Sequence, residues 1–205
     1  MKPPRGAAAL PREVRLIGGH LRRSRLQVPD RPGLRPTPER VRETLFNWLG
    51  QDLTGWRVLD AFAGSGALGF EAASRGAAEV VLVERDAAVA QALRRSALRL
   101  GAAQVRVVTA DALAWLARAA PQGYDLVFVD PPFDAGLHAA ALAAAAPAVA
   151  AGGWLYVEAG RALAPPPGWV LHRHGRAGAV HFHLLCRPAS TQGYTGTPTA
   201  PGSAP

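Results

Sequence analysis

From Trp56 onward the chain alternates short β-branched apolar runs with helix-forming stretches, and nothing else in it narrows the fold as much. Arg57-Val58-Leu59-Asp60 reads as a strand, followed by a glycine loop and a helix through Ser74. Glu79 to Glu84 reads as the next strand, before a helix from Asp86 to Leu100. A third strand is expected over Gln104 to Val108, then a helix from Ala112 to about Arg118. A fourth is expected over Tyr124 to Val129, then an Ala-rich helix to about Ala150, and a fifth over Trp154 to Glu158. Trp169 to His174 and Ala179 to Leu185 read as a closing antiparallel pair. Continuous apolar runs mark strands that are covered on both faces. Repeated βα units of this kind give an α/β fold, a parallel sheet with helices on both sides.

The loop after the first strand, Gly64-Ser65-Gly66-Ala67-Leu68-Gly69, has the G-x-G-x-x-G spacing between a strand and a helix. Glycine there lets the backbone approach a ligand, and the helix N-terminus follows. Glu84 ends the next strand twenty residues after Gly64, where an acidic side chain can accept from a ribose diol. Asp60 closes the strand before the loop, with Ala61, Phe62 and Ala63 between. A carboxylate there repels a pyrophosphate and suits an ammonium or sulfonium, which speaks against a dinucleotide. Asp111, followed by Ala112, ends the third strand and can accept from an adenine amino group. With Asp130 these carboxylates occupy successive strand ends on one rim, where open α/β sheets bind ligands. This is the pattern of a class I methyltransferase using S-adenosylmethionine.

Asp130-Pro131-Pro132-Phe133 follows the apolar run Leu126 to Val129 directly. The two prolines stop the strand and fix the backbone where the carboxylate emerges. A carboxylate, a carbonyl next to a nitrogen without a proton, and an aromatic ring then lie within four residues. Such a set can stack a planar base and accept hydrogen bonds from its amino group.

The net charge is +8 and it is segregated. Residues 1–42 hold eleven Lys or Arg against three Asp or Glu, and residues 43–205 hold twelve of each. Arginine donates two parallel hydrogen bonds to phosphate, so the N-terminal segment points to nucleic acid. Glu13 to Val28 reads as a hairpin turning at Gly18-Gly19, with His20 to Leu26 as its return strand. A Pro-rich linker runs from Pro29 to Pro36. Thr37 is the expected N-cap of a helix to about Leu49, with Pro38 at its first position and Val41, Leu45 and Trp48 on one stripe. Residues 1–12 and 188–205 read as disordered, residues 13–36 as a basic hairpin with linker, and residues 37–187 as the catalytic domain.

Within this frame the chain resembles the RsmD family, bacterial methyltransferases of a guanine N2 in 16S rRNA. The resemblance spans roughly residues 13–187 and rests on Arg15-Leu16-Ile17-Gly18-Gly19, Leu34-Arg35-Pro36-Thr37, residues 40–49, Ala61 to Gly69, and Val129 to Phe133. It implies a seven-stranded, mostly parallel Rossmann-like sheet with an N-terminal β-hairpin extension, S-adenosylmethionine as donor, and a substrate guanine presented by the small ribosomal subunit or its assembly intermediate. Asp130, Pro131, Pro132 and Phe133 are then the expected catalytic set. Asp60, Phe62, Ala63, Gly64, Ser65, Gly66, Glu84, Asp111 and Ala112 are expected to bind the cofactor, with Asp60 near its ammonium. Arg15, Arg22, Arg23, Arg25, Arg35, Arg40 and Arg42 are expected on RNA phosphates. Thr37, Arg40 and Asn47 fit either the cofactor pocket or the RNA.

Other readings explain less. A nicotinamide oxidoreductase accounts only for the glycine spacing. A DNA adenine-N6 methyltransferase shares the Asp-Pro-Pro-Phe turn but not the Arg-Pro-Thr segment. A non-catalytic RNA-binding module leaves the four rim carboxylates without use. His172, His174, His181, His183 and Cys186 lack the convergent spacing of a structural metal site, so no metal is expected. No apolar run is long enough to span a bilayer and no signal peptide is legible, so a cytoplasmic monomer is expected.

Overall fold

A computed structural model describes residues 13–31, 34, 36–132 and 136–189. Its elements are, in chain order, β1 (Glu13–Arg15), β2 (Arg25–Gln27), α1 (Glu39–Trp48), β3 (Arg57–Asp60), α2 (Ala67–Ser74), β4 (Glu79–Glu84), α3 (Ala87–Arg99), β5 (Val105–Thr109), α4 (Ala112–Leu116), β6 (Tyr124–Val129), α5 (His138–Ala145), β7 (Val149–Ala159), β8 (Val170–Ala177) and β9 (Val180–Cys186). Seven strands form one sheet in the order β5-β4-β3-β6-β7-β9-β8. β3 to β7 are mutually parallel, β9 is antiparallel to β7, and β8 is antiparallel to β9. β3 pairs with β4 on one side and with β6 on the other, so the winding reverses there. Asp60 ends β3 and Asp130 follows β6 at this reversal, at the C-terminal strand ends where such sheets bind ligands.

The apolar runs behave as their composition requires. Val80, Val81, Leu82 and Val83 of β4, and Leu126 to Val129 of β6, are all buried, as strands covered on both faces must be. One core layer lies under α1, α2 and α3, the other under α4 and α5. Helix α1 contributes Val41, Leu45 and Phe46, each worth about 2 kcal/mol of burial. Phe46 meets Phe128 edge-on, and Phe128 meets Tyr156 in the same way. Trp48 stacks on Phe182.

Three local expectations are corrected. The return strand covers only Arg25–Gln27, and residues 18–23 form a turn that is drawn down onto α2. Thr37 does not cap α1. Pro38 takes the cap position without a side-chain bond, because the Thr37 hydroxyl donates to Glu158 instead. The Ala-rich helix stops at Ala145, and a 3-10 turn over Ala146–Ala148 hands the chain to β7 at Val149. Pro147 has no N–H to continue the helix, and Val149 finds a ladder partner in Tyr124. The segments 1–12 and 190–205, expected to be disordered, lie outside the described residues.

The hairpin is part of the main core, since Val14, Leu16, Leu26 and Val28 pack into the same layer as α1 and α2. What seats it is Glu71 on α2, whose side chain is fully buried. Its two oxygens accept from the backbone N–H of Ile17 (3.0 Å) and of Gly18 (2.8 Å). They also accept from Arg42 of α1 (3.3 Å) and from Arg75 (2.9 Å). Arg42 in turn donates to the Thr37 and Arg15 carbonyls, and Arg75 lies over the Phe46 ring. Ser74 at the end of α2 accepts from Leu21 N–H and receives His20 N–H at its carbonyl. Glu71→Ala would leave two buried guanidinium groups and two backbone donors without their acceptor. Urea unfolding should show a loss of about 3–5 kcal/mol, and an unchanged midpoint would refute the role given to this carboxylate.

Candidate active site

The glycine loop is shaped by its neighbours from below. Gly66 precedes α2 in the left-handed region at φ 76°, and a Cβ there would come within 2.6 Å of Leu93. Gly64 is also left-handed, at φ 49°, and Leu34 of the linker lies directly over it. Glu84 accepts from Gly64 N–H (3.0 Å) through one oxygen and from Asp86 N–H (2.8 Å) through the other. A carboxylate has about four acceptor sites, so Glu84 keeps capacity for a diol while bracing the loop. Ala63 N–H donates to Val83 (2.9 Å), and Ser65 Oγ accepts from Ala67 N–H (3.4 Å). Phe62 packs against the α4–α5 core layer. Asp111 caps α4 by accepting from Ala114 N–H (2.9 Å) and is itself exposed, while Ala112 is buried.

Asp60 departs from expectation. It is only 2% exposed, and its carboxyl accepts from the backbone N–H groups of Gly69 (3.1 Å) and Phe62. Its position is beneath the loop, where it holds the first turn of α2 rather than facing outward to a ligand ammonium. Burial raises its pKa to about 7, the Gly69 bond opposes this, and Glu84 and Glu158 add to it.

Asp130 emerges beside it at the end of β6, partly exposed, with Pro131 buried and Pro132 exposed. Burial, then the charges of Glu158 and Asp60, push the Asp130 carboxyl well above the usual carboxylate range. Phe133 lies outside the described residues. Glu158 was missed as a site residue although it ends a strand in an acid, as β3, β4 and β6 do or nearly do. It is 3% exposed and accepts from Tyr156 OH (2.8 Å) and the Thr37 hydroxyl. Burial raises its pKa, and those two hydroxyls pull it back. Three carboxyls thus crowd one rim, and burial together with mutual repulsion favours their protonated forms. Tyr156 was hidden because its ring belongs to the core and only its hydroxyl reaches the site.

The candidate RNA arginines separate into groups. Arg15, Arg22 and Arg23 line a groove of about 300 Å³ with Leu16, Ile17, Glu39 and Glu43. Arg15 pairs with Glu39 (3.0 Å) and Arg25 with Glu13 (2.8 Å), and both stay largely exposed. Arg40 is exposed, and Asn47 is exposed with its side chain accepting from Gln51. Arg42 is corrected: at 2% exposure and bound to Glu71 it is a structural cation, unavailable to phosphate. Arg35 lies outside the described residues. Among the described residues no three His, Cys, Asp or Glu converge as metal ligands, and no helix is long and apolar enough to cross a membrane.

The raised Asp60 carboxyl has a thermodynamic consequence. Folded Asp60 keeps its proton up to about pH 7, while the unfolded residue releases it near its ordinary 3.8, so folding takes up a proton in between. Its contribution is therefore present at acid pH and is lost as pH rises through 7. Relative to Asp60→Asn, the wild type should be about 2 kcal/mol more stable at pH 5.5 than at pH 8 in urea titrations. A difference that stays constant with pH would contradict the buried, proton-holding carboxyl.

Comparison with known proteins agrees with this geometry. The family model described as "Conserved hypothetical protein 95" matches residues 14–186. Ribosomal RNA small subunit methyltransferase D of Escherichia coli K12 is 45% identical over 186 residues, covering 86% of this chain and 91% of the relative. The Haemophilus influenzae protein of the same name is 38% identical over 84% of this chain and 93% of its own length. Among solved structures, the putative methyltransferase yhhF from Escherichia coli superposes with a TM-score of 0.77 at 43% identity, covering 87% of this chain and 99% of that one. A strand order that reverses at β3, a carboxylate rim at that reversal and identity of this extent along the chain have one common account: the chain belongs to the RsmD family of methyltransferases.

Proposed function

We propose that this protein transfers a methyl group from S-adenosylmethionine to the exocyclic N2 of a guanine in 16S rRNA, within the small ribosomal subunit or its assembly intermediate. The observation that carries the reading is the position of Asp130 at the sheet's reversal point, partly exposed and backed by buried Glu158, in a chain of this family. The acidic rim fits the cofactor's chemistry: Gly64 and Gly66 let the backbone approach it, Glu84 suits the ribose hydroxyls, and Asp111 suits the adenine amino group. Asp60 acts through the loop it holds. When bound, S-adenosylmethionine supplies an electrophilic methyl on a cationic sulfonium.

The residues do the rest by positioning. Asp130 and the Pro131 carbonyl accept the two N2 hydrogens of a flipped guanine, and Phe133 stacks on its ring. Accepting both hydrogens favours a more tetrahedral nitrogen and frees its lone pair for attack. The N2 proton then passes to Asp130, whose surroundings already favour the protonated form. Thr37 and Tyr156 hold Glu158 in place beneath Asp130 and so set how readily Asp130 ionises. Arg15, Arg22, Arg23 and Arg25 take RNA phosphates along the hairpin groove. Glu39 lines this groove two residues along the chain from Thr37, which bonds Glu158 of the rim.

Labelled methyl from S-adenosylmethionine should appear on unmodified small subunits as N2-methylguanine. Label as N6-methyladenine on duplex DNA, or on no nucleic acid while the cofactor still binds, would overturn the reading. Asp130→Ala should lower turnover at least about a hundredfold with cofactor affinity kept, as loss of a group that acts on the reacting atom does. The rate should rise with pH as Asp130 ionises. Glu158→Gln removes a repelling charge and should move that acid limb to lower pH; a limb that does not move would remove Glu158 from this role. Replacing Arg15, Arg22, Arg23 and Arg25 by Ala should lower the slope of log affinity against log salt by roughly 3.

A further inference from the structure

The chain's charge balance hides a second basic segment. From residue 159 to the end there is no Asp or Glu, but four Arg and four His. The structure gathers a subset of them on one face of the β8–β9 hairpin. His174 faces His183 and Arg176 faces His181 across the ladder, so the alternation of the strands puts all four on the same side. The rings of His174 and His181 lie 5.2 Å apart at 9°, with His174 Nε2 and His181 Nδ1 sharing a hydrogen bond at 3.0 Å. His183 stacks behind His174 at 4.7 Å and 20°. His183 is fixed from within: Nε2 accepts from Leu163 N–H (3.0 Å), Nδ1–H donates to the Val157 carbonyl (3.3 Å), and 1% of the residue is exposed. The outer rings are therefore anchored on a rigid one. Arg161 and Arg176 are exposed and, among the described residues, enter none of the ion pairs.

This face adjoins the active-site rim. Ala159 pairs with His181 and Glu158 with Phe182, so His181 lies beside the C-terminal end of β7, on the sheet face opposite the Glu158 side chain. Burial, and after it the nearby Arg161, disfavours the charged form of His138, the first residue of α5. Arg173 pairs opposite Leu184, on the other side of the sheet, and Arg187 is spent on the Val149 and Ala146 carbonyls.

We propose that Arg161, His174, Arg176 and His181 form a second RNA-contacting surface, which stacks an unpaired base on the histidine pair and holds the adjoining phosphates on the two arginines. The inference rests on the RNA reading above and extends it to the opposite side of the rim from the N-terminal groove. Flat rings and planar guanidinium groups are what single-stranded or looped RNA bases stack on. A surface of one charge sign, with rings already held in place, binds a polyanion at little ordering cost.

The test uses the full chain and unmodified small subunits. Arg161→Glu with Arg176→Glu, and separately His174→Ala with His181→Ala, should each raise the KM for subunits about tenfold, as loss of one base stack or of two phosphate contacts does. kcat and the affinity for S-adenosylmethionine should change less than twofold. The arginine pair should lower the salt slope by roughly 1.4, and Arg176→Lys should restore part of it. Ultraviolet crosslinking should join subunit RNA to β8–β9 peptides of the wild type. If both double variants fold, bind cofactor and keep the wild-type KM and salt slope, the proposal falls and these side chains only guard a sheet edge. If the wild type itself binds cofactor but neither binds nor methylates subunit RNA, the function proposed above falls first and takes this surface with it.

Discussion

The carboxylate of Glu71 ties together three parts of the chain that are distant in sequence. A buried anion is costly unless it is paired and its oxygens are filled, and here two guanidinium groups and two backbone donors do both. Because the donors come from the hairpin turn, from α1 and from α2, each can be in place only when the others are. Two further features inherit their positions from this knot. Arg42 fixes Thr37 by its carbonyl, and Thr37 reaches Glu158. The hairpin turn fixes the groove formed by Arg15, Arg22 and Arg23.

The rim shows the opposite use of buried charge. Asp60, Asp130 and Glu158 lie at the ends of three neighbouring parallel strands and, among the described residues, none of them pairs with a cation; burial raises all three. Such crowding destabilises the fold when the groups ionise, which is why the Gly69 and Phe62 amides and the Tyr156 and Thr37 hydroxyls are recruited. It also gives Asp130 a greater affinity for a proton than an exposed carboxylate has. A residue that must accept hydrogen bonds from an amino group and then take its proton gains from that affinity. Under the proposed mechanism the cost falls where the chemistry would use it.

Charge along the chain follows the same division. The N-terminal arginines do not form one surface, because Arg42 is consumed by the core, while Arg15 and Arg25 remain exposed beside Glu39 and Glu13. The zero balance of residues 43–205 likewise conceals an acidic body and a basic β8–β9 edge. Counting charges locates neither. The sheet order brings β9 beside β7 and so places His181 next to the rim.

The order of strands and helices from Trp56, the glycine loop, and Asp60, Glu84, Asp111 and Asp130 at strand ends were all legible, because period and local backbone chemistry decide them. The end of β6 at Val129 was legible for the same reason: proline acts on its own neighbours. Glu158, Tyr156 and Thr37 were not seen as one group, and Glu71 was not seen at all. Each is an ordinary strand, turn or helix residue until distant backbone and hydroxyl donors close on it. Arg42 was misassigned because a sequence displays a cation's charge but not its partner. What local preference governs, the sequence by itself determined: element type, loop chemistry and the rim of acids. Which charges are buried, which oxygens are filled and which surfaces meet, only the tertiary structure decided, because these depend on desolvation and on contacts between residues far apart in the chain.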